Sequence, residues 1–227
     1  MATHARSFRA SVEIQADIGY KLFVPDHYDA ARPWPLILFL HGIKKRGADL
    51  AALDGYGLLG TAEREPGFGF LVLAPQCPAH LSWPAVRHEV LALLDRIMGE
   101  YGVDPAAVYL TGFSMGGNGV WDYAARDDGR FAAAAPLAGY HETAAMGGIA
   151  LPVWAFHGIE DDTVPIGRSA ELVEALRRAN PDAEVRFTRH PGLSHAIMEQ
   201  TYGDPELFRW LLGHKRPNPH AEGGRRA

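Results

Sequence analysis

Val108-Tyr109-Leu110-Thr111-Gly112-Phe113-Ser114-Met115-Gly116 is the stretch that decides the fold. It opens as a short β-favouring run and passes through Gly-x-Ser-x-Gly, after which a helix is expected from about Met115 to about Arg126. Strand, sharp turn and helix in that order hold a serine in a strained turn with its Oγ exposed at the carboxyl edge of a sheet. The flanking glycines have a steric purpose, since only small neighbours let the helix and the adjacent strand approach. Ser114 is therefore the candidate nucleophile.

Working outward, residues 36–40, 70–74 and 151–156 read as further strands, with a weaker one at 184–188, and the run at 107–111 leads into the serine. These runs are nearly all apolar instead of alternating, as expected of strands covered on both faces in a parallel sheet. Val86, Val90, Leu93, Leu94, Ile97 and Tyr101 recur at spacings of three and four, which predicts a helix over 85–101 closed by Gly102. Leu172, Val173, Leu176 and Ala179 mark another helix before Pro181, and a last one follows Asp204-Pro205. At the N-terminal end, residues 11–15 and 20–24 flank Ala16-Asp17-Ile18-Gly19 and read as an antiparallel hairpin. The expectation is an α/β fold: a mostly parallel central sheet with helices on both faces, an N-terminal antiparallel hairpin and no cap domain. One domain is expected over 8–213, with 214–227 a disordered tail rich in Pro, Gly and Arg.

The chain has 227 residues, 47% of them apolar, enough for one sizeable core, which excludes disorder as a description of the whole. Its 22 basic and 27 acidic side chains leave a net charge of −5, so it has no basic field for a phosphate backbone and nucleic acid is not an expected partner. No apolar run is long enough to span a bilayer, and no membrane partner is expected. Cys77 is the single cysteine, which excludes an intrachain disulfide and fits a reducing compartment. No apolar segment follows Met1-Ala2-Thr3-His4-Ala5-Arg6 in the manner of a secretion signal, and a cytoplasmic location is expected.

A serine hydroxyl needs a base to take its proton, and an imidazole suits that task near neutral pH. With the chain order serine, acid, histidine, His195 in the loop Pro191-Gly192-Leu193-Ser194-His195 is the first choice and His190 its rival. The acid should come from Glu160-Asp161-Asp162, after the strand at 151–156, and chain logic alone leaves Asp161 and Asp162 both open. The N–H of Met115, next after the nucleophile, and that of Ile43, after His41-Gly42, are the candidate oxyanion donors. His41 precedes the serine and is expected to prop its loop by a side-chain hydrogen bond, while Lys44-Lys45-Arg46 reads as a solvated run. Gln76, Trp83 and Tyr140 flank strand ends and are candidate pocket residues. No His-Glu-x-x-His or Cys/His cluster is present, and neither a metal nor another cofactor is expected.

Residues 103–117 resemble the serine esterases of the α/β-hydrolase superfamily, in the group of small carboxylesterases, phospholipase-like esterases and predicted peptidases related to dienelactone hydrolase and the acyl-protein thioesterases. Leu40-His41-Gly42, Ala74-Pro75-Gln76-Cys77-Pro78 with Trp83, His157-Gly158-Ile159-Glu160-Asp161-Asp162-Thr163-Val164-Pro165 and Gly192-Leu193-Ser194-His195 extend the likeness over about residues 20–212. The resemblance implies that the acid is Asp161, the base His195 and the oxyanion donors Met115 and Ile43. Dienelactone hydrolase itself uses a cysteine nucleophile where this chain has Ser114, and Lys45 stands where an acidic residue is frequent in the oxyanion loop.

The expected activity is therefore hydrolysis of carboxylic esters through an acyl-enzyme on Ser114. The connection over 138–150 is too short for a cap domain, which points to short- and medium-chain soluble esters as small-molecule substrates. The alternatives are a peptidase of the prolyl-oligopeptidase type and a non-enzymatic binding module on the same fold.

Overall fold

An apolar strand with no polar face needs a core on each side, and the run at 36–40 has both. The computed structural model describes residues 17–216. In it Leu36, Leu38 and Leu40 enter one buried cluster, while Ile37 and Phe39 enter a second on the opposite side. In chain order the elements are β1 (Tyr20–Phe23), β2 (Trp34–Leu40), α1 (Leu58–Arg64), β3 (Leu71–Pro75), α2 (Arg87–Glu100), β4 (Val103–Phe113), α3 (Met115–Ala125), β5 (Ala133–Leu137), β6 (Val153–Gly158), α4 (Gly167–Ala179), β7 (Val185–His190), α5 (Met198–Tyr202) and α6 (Pro205–Gly213). Helices α2, α3 and α4 cover the first face through Leu94, Trp121 and Leu172; α1, α5 and α6 cover the second through Leu58, Tyr202 and Trp210.

The seven strands form one sheet in the order β1-β3-β2-β4-β5-β6-β7. Every neighbouring pair is parallel except β1 with β3, where Tyr20 faces Pro75 and Phe23 faces Val72. The residues expected to form the first arm of an N-terminal hairpin, 11–15, lie outside the described residues. β5 is a strand that the apolar runs did not single out. Its sequence is Ala-Ala-Ala-Pro-Leu, and alanine has neither the bulk nor the β-branching that marks a strand. Pro136 cannot donate to a ladder, yet the pairing with β6 holds on either side of it, at Ala134 with Val153 and Leu137 with Phe156.

Because β2, β4, β6 and β7 run parallel, the loops that leave their carboxyl ends share one rim. β2 lies between β3 and β4, so the chain reverses its direction of travel across the sheet at this point. The loop after β2 leads to α1 on one face and the turn after β4 leads to α3 on the other, which opens a crevice between them. That crevice holds Ser114.

The expectation of disorder from residue 214 is corrected for 214–216. The His214 carbonyl accepts from the buried Tyr109 hydroxyl at 3.0 Å, and its ring lies 3.0 Å from Glu184 Oε2 and 2.8 Å from the Trp210 carbonyl. Lys215 Nζ reaches Asp104 at 2.9 Å and the Arg216 N–H donates to the Ala106 carbonyl at 3.0 Å. Acceptors on β4 and at the start of β7 thus hold the chain end, a long-range feature that local composition does not report. Residues 217–227 lie outside the described residues. A chain ending at Gly213 is expected to melt roughly 3–8 °C below one ending at Arg216, since it strands the Tyr109 hydroxyl and loses several hydrogen bonds. Differential scanning calorimetry checks this, and equal melting temperatures would show that 214–216 hold nothing.

Candidate active site

β4 ends in a backbone that few residues tolerate. Ser114 has φ 57° and ψ −116°, a region that costs a non-glycine residue about 1–3 kcal/mol and persists only where surroundings enforce it. Here the Ser114 N–H donates to the Leu137 carbonyl of β5 at 2.9 Å, and the Ser114 carbonyl accepts from Asn118 one turn into α3 at 2.9 Å. A Cβ on Gly116 would lie 1.8 Å from the Leu40 carbonyl oxygen, so only glycine lets α3 start this close to β2. The turn therefore presents the Ser114 hydroxyl at the rim.

Two loops bring the partners to it. His195 Nε2 lies 2.9 Å from Ser114 Oγ, and its Nδ1 lies 2.7 Å from Asp161 Oδ2. The Asp161 side chain is buried, and its Oδ1 accepts the N–H groups of Thr163 at 2.9 Å and Val164 at 2.8 Å. Burial alone would raise the Asp161 carboxyl, but the His195 hydrogen bond, the two backbone N–H groups and the His195 charge outweigh it and hold it below the ordinary carboxylate range. An ionised Asp161 accepts a hydrogen bond from Nδ1–H, which leaves the Nε2 lone pair facing the serine hydroxyl. The His195 loop comes this close because β6 ends in Gly158, where a Cβ would lie 2.1 Å from the Ser194 carbonyl oxygen. Asp162 is exposed, and among the described residues its side chain accepts only from the neighbouring Thr163 hydroxyl, at 3.3 Å. His190 turns to the Thr201 hydroxyl at 3.2 Å and away from Ser114.

The loop after β2 is held from below. Among the described residues neither the Ile43 nor the Met115 N–H donates to an acceptor, as befits the first residues of helical turns whose amides have no partner within the turn. His41 is buried; its Nε2 accepts the Cys77 N–H at 3.0 Å, so Nδ1 carries the proton and donates to the Gly42 carbonyl at 2.8 Å. Burial lowers the His41 pKa to about 4; the Gly42 bond opposes this, and the Lys45 and Arg46 charges add to it. Lys45 and Arg46 are less free than a solvated run implies, for Lys45 Nζ lies 4.8 Å from the Tyr56 ring centre and Arg46 donates to the Leu81 carbonyl at 3.1 Å.

Two of the three expected pocket residues are elsewhere. Gln76 is buried, and its amide clamps the loop after β2 by donating to the Lys45 and Asp49 carbonyls at 3.0 and 2.9 Å. Trp83 is fully buried against the His41 ring and donates to the His41 carbonyl at 2.9 Å. A residue after a strand can turn inward or outward, and sequence position alone does not say which. Tyr140 is half exposed and lines a cavity of about 760 Å³ with Asn118, Arg126, His141, Thr163 and Arg168. A second cavity, of about 410 Å³, opens on Ser114 and His195 and is walled by Ile43, Tyr56, Phe113 and Met198. Tyr56 and Met198 belong to no motif, and only the folded chain brings them to the nucleophile.

The depressed pKa of His41 gives a pH signature. Between about 6.5 and about 4 the unfolded chain takes up a proton on this ring that the folded chain refuses, so stability falls as pH drops through that window. Relative to His41→Asn, the wild type is expected to lose about 3 kcal/mol of unfolding free energy between pH 7 and pH 4, read by urea titration. Parallel pH dependence of the two proteins would overturn the assignment.

Comparison with known proteins gives the family and the fold. The sequence profile of the Dienelactone hydrolase family matches residues 3–206. Feruloyl esterase C of Emericella nidulans is 28% identical over 170 residues, covering 69% of this chain and 60% of that protein. The Aspergillus oryzae protein named "Probable feruloyl esterase C" is 29% identical over 196 residues, covering 82% of this chain and 70% of its own. Among solved structures, a thermostable esterase superposes with a TM-score of 0.78 at 30% identity over 88% of this chain; the match spans 60% of that esterase. Est1E from Butyrivibrio proteoclasticus, at 15% identity and a TM-score of 0.67 over 86% of this chain and 95% of its own, shares the fold. With a match over residues 3–206 and a seven-stranded sheet carrying serine, histidine and aspartate at one rim, the chain belongs to the dienelactone hydrolase family.

Proposed function

We propose that this chain hydrolyses carboxylic esters through a covalent acyl-enzyme on Ser114. The observation that carries this reading is the relay of 2.9 and 2.7 Å contacts from Ser114 to His195 to Asp161, beside two N–H groups that have no other partner among the described residues. Ser114 Oγ attacks the ester carbonyl while His195 Nε2 accepts its proton. The Met115 and Ile43 N–H groups take the charge that develops on the carbonyl oxygen, and Asp161 stabilises the imidazolium. His195 then hands the proton to the departing alcohol. Water, deprotonated by the same ring, attacks the acyl group and releases the acid, returning Ser114 to its starting state.

The two cavities divide the substrate. Tyr56, Phe113, Met198 and Ile43 suit an apolar or aromatic acyl group, and the names of the feruloyl esterase relatives support a phenylpropenoyl acid in that place. Asn118, Tyr140, Arg126 and Arg168 offer hydrogen bonds to a polar alcohol. The connection after β5 carries only a short 3₁₀ turn, Thr143–Gly148, which supports soluble short-chain, medium-chain or aromatic esters over emulsified fats. Among the described residues no helix is long and apolar enough to cross a membrane. A reducing compartment such as the cytoplasm fits the lone, buried Cys77 thiol, whose pKa burial raises to about 11.

Methyl ferulate and a p-nitrophenyl ester series of increasing acyl length test the reading. Ser114→Ala should lower kcat/KM by about four orders of magnitude or more and abolish labelling by a fluorophosphonate. Undiminished hydrolysis in that variant would end the acyl-enzyme proposal. Tyr56→Leu should raise KM for methyl ferulate roughly five- to tenfold relative to p-nitrophenyl acetate, from lost aromatic contact. An equal change for both esters would remove the ring from the acyl site.

A further inference from the structure

His157, next to last in β6, is wholly buried, and ester hydrolysis as written above gives it no task. Its Nε2 lies 2.8 Å from the Val164 carbonyl and 3.1 Å from Asp161 Oδ2. Both partners are acceptors, so Nε2 carries the ring proton: it bonds the Val164 carbonyl and stands within ion-pair distance of Asp161 Oδ2. Nδ1 faces the buried Ser169 hydroxyl of α4 at 2.8 Å, and that hydroxyl also lies 2.8 Å from the Gly139 carbonyl after β5. Burial keeps the ring below its ordinary pKa; the Val164 bond and the charge and hydrogen bond of Asp161 oppose this, while the His195 charge adds to it. A neutral ring with its proton on Nε2 serves Val164 and Asp161, and its Nδ1 then accepts the single Ser169 hydroxyl hydrogen, for which the Gly139 carbonyl competes.

Asp161 Oδ2 therefore meets an imidazole N–H from two directions, His195 at 2.7 Å and His157 at 3.1 Å. The groups that face His157 come from several elements. Asp161 rises from the loop after β6 and His195 from the loop after β7. Ser169, uncharged, comes from α4. The register partner of His157 on β7 is Arg189, whose guanidinium lies over the Phe187 ring at 4.9 Å.

We propose that His157 is a positioning residue for the Asp161–His195 pair: its Nε2–H holds the carboxylate oxygen that His195 also holds, and so limits how strongly that oxygen binds a proton on His195. The consequence has a definite sign. With the His157 donor gone, Oδ2 keeps more of its charge for His195, the imidazolium is favoured, and the base form is lost at a higher pH. The acid limb of kcat/KM then moves up. A residue that merely filled the space beneath Asp161 would lower the plateau and leave the limb where it was. The consequence for rate rests on the ester-hydrolase reading; the effect on His195 titration does not.

The experiment compares wild type, His157→Met, His157→Gln and Ser169→Ala by two readouts: the midpoint of the His195 ring titration followed by NMR, and the pH profile of kcat/KM on a p-nitrophenyl ester. His157→Met should raise both midpoints by about half a unit to one unit, the scale of losing one hydrogen bond to an ionised carboxylate. His157→Gln, whose amide can present an N–H to Asp161, should return them most of the way. An unmoved midpoint in the methionine variant, or an equal move in the glutamine variant, overturns the proposal. Where His157→Met does not fold, Ser169→Ala decides, because it frees Nδ1 and loosens the ring without touching Asp161; it should move the midpoint upward by a smaller amount, and no movement overturns the proposal. A shifted NMR midpoint in a protein that hydrolyses no ester would sink the esterase reading alone, whereas hydrolysis with an unmoved midpoint would sink the role of His157 alone.

Discussion

The contact between the Leu40 carbonyl and Gly116 is the constraint on which the rest of the molecule depends. It brings the end of one central strand and the start of one helix closer than any side chain permits, with 1.8 Å left where a Cβ would sit. That approach puts the turn carrying Ser114 and Met115 against the loop that follows β2 and carries Ile43. The cost appears as local strain at Ser114, and the Leu137 carbonyl and the first turn of α3 hold it in place. Under the proposed mechanism, pre-organisation of this kind spares the site any rearrangement when charge appears on a substrate oxygen.

Burial sets the electrostatics around the rim in two opposed ways. At His41 burial and two nearby cations, Lys45 and Arg46, oppose protonation, and the ring stays neutral, as a residue that braces a loop should. At Asp161 burial pushes the same way, toward the neutral form, but three donors converge on the two oxygens and the carboxylate wins. The difference lies in hydrogen bonds, not in depth. Partners decide whether a buried group keeps its charge.

Much of this was legible in the chain before any coordinates. Apolar runs without alternation announced strands covered on both faces, and a glycine-flanked serine after such a run announced a strained turn, because both signals are local. β5 was invisible for the converse reason: three alanines and a proline have no periodic signature, and the strand exists because β4 and β6 pair with it. Gln76 and Trp83 were placed at the correct end of the sheet but on the wrong side of the surface. Their hydrogen bonds to the loop after β2 are tertiary facts. Tyr56 and Met198, distant in sequence from every motif, could be found only by folding the chain. The order of the acids at 160–162 left Asp161 and Asp162 equal by logic, whereas burial and backbone donors distinguish them in space.

Thr163 lines both cavities, and its own amide is one of the donors to Asp161. The partition between the two cavities is thus one residue, on the turn whose amides bond Asp161. On the proposed reading, selectivity and proton transfer share one piece of backbone there. A change of residue that widened one compartment would also pull on the turn, so this wall is the place where a broader substrate range and a slower reaction would arise together.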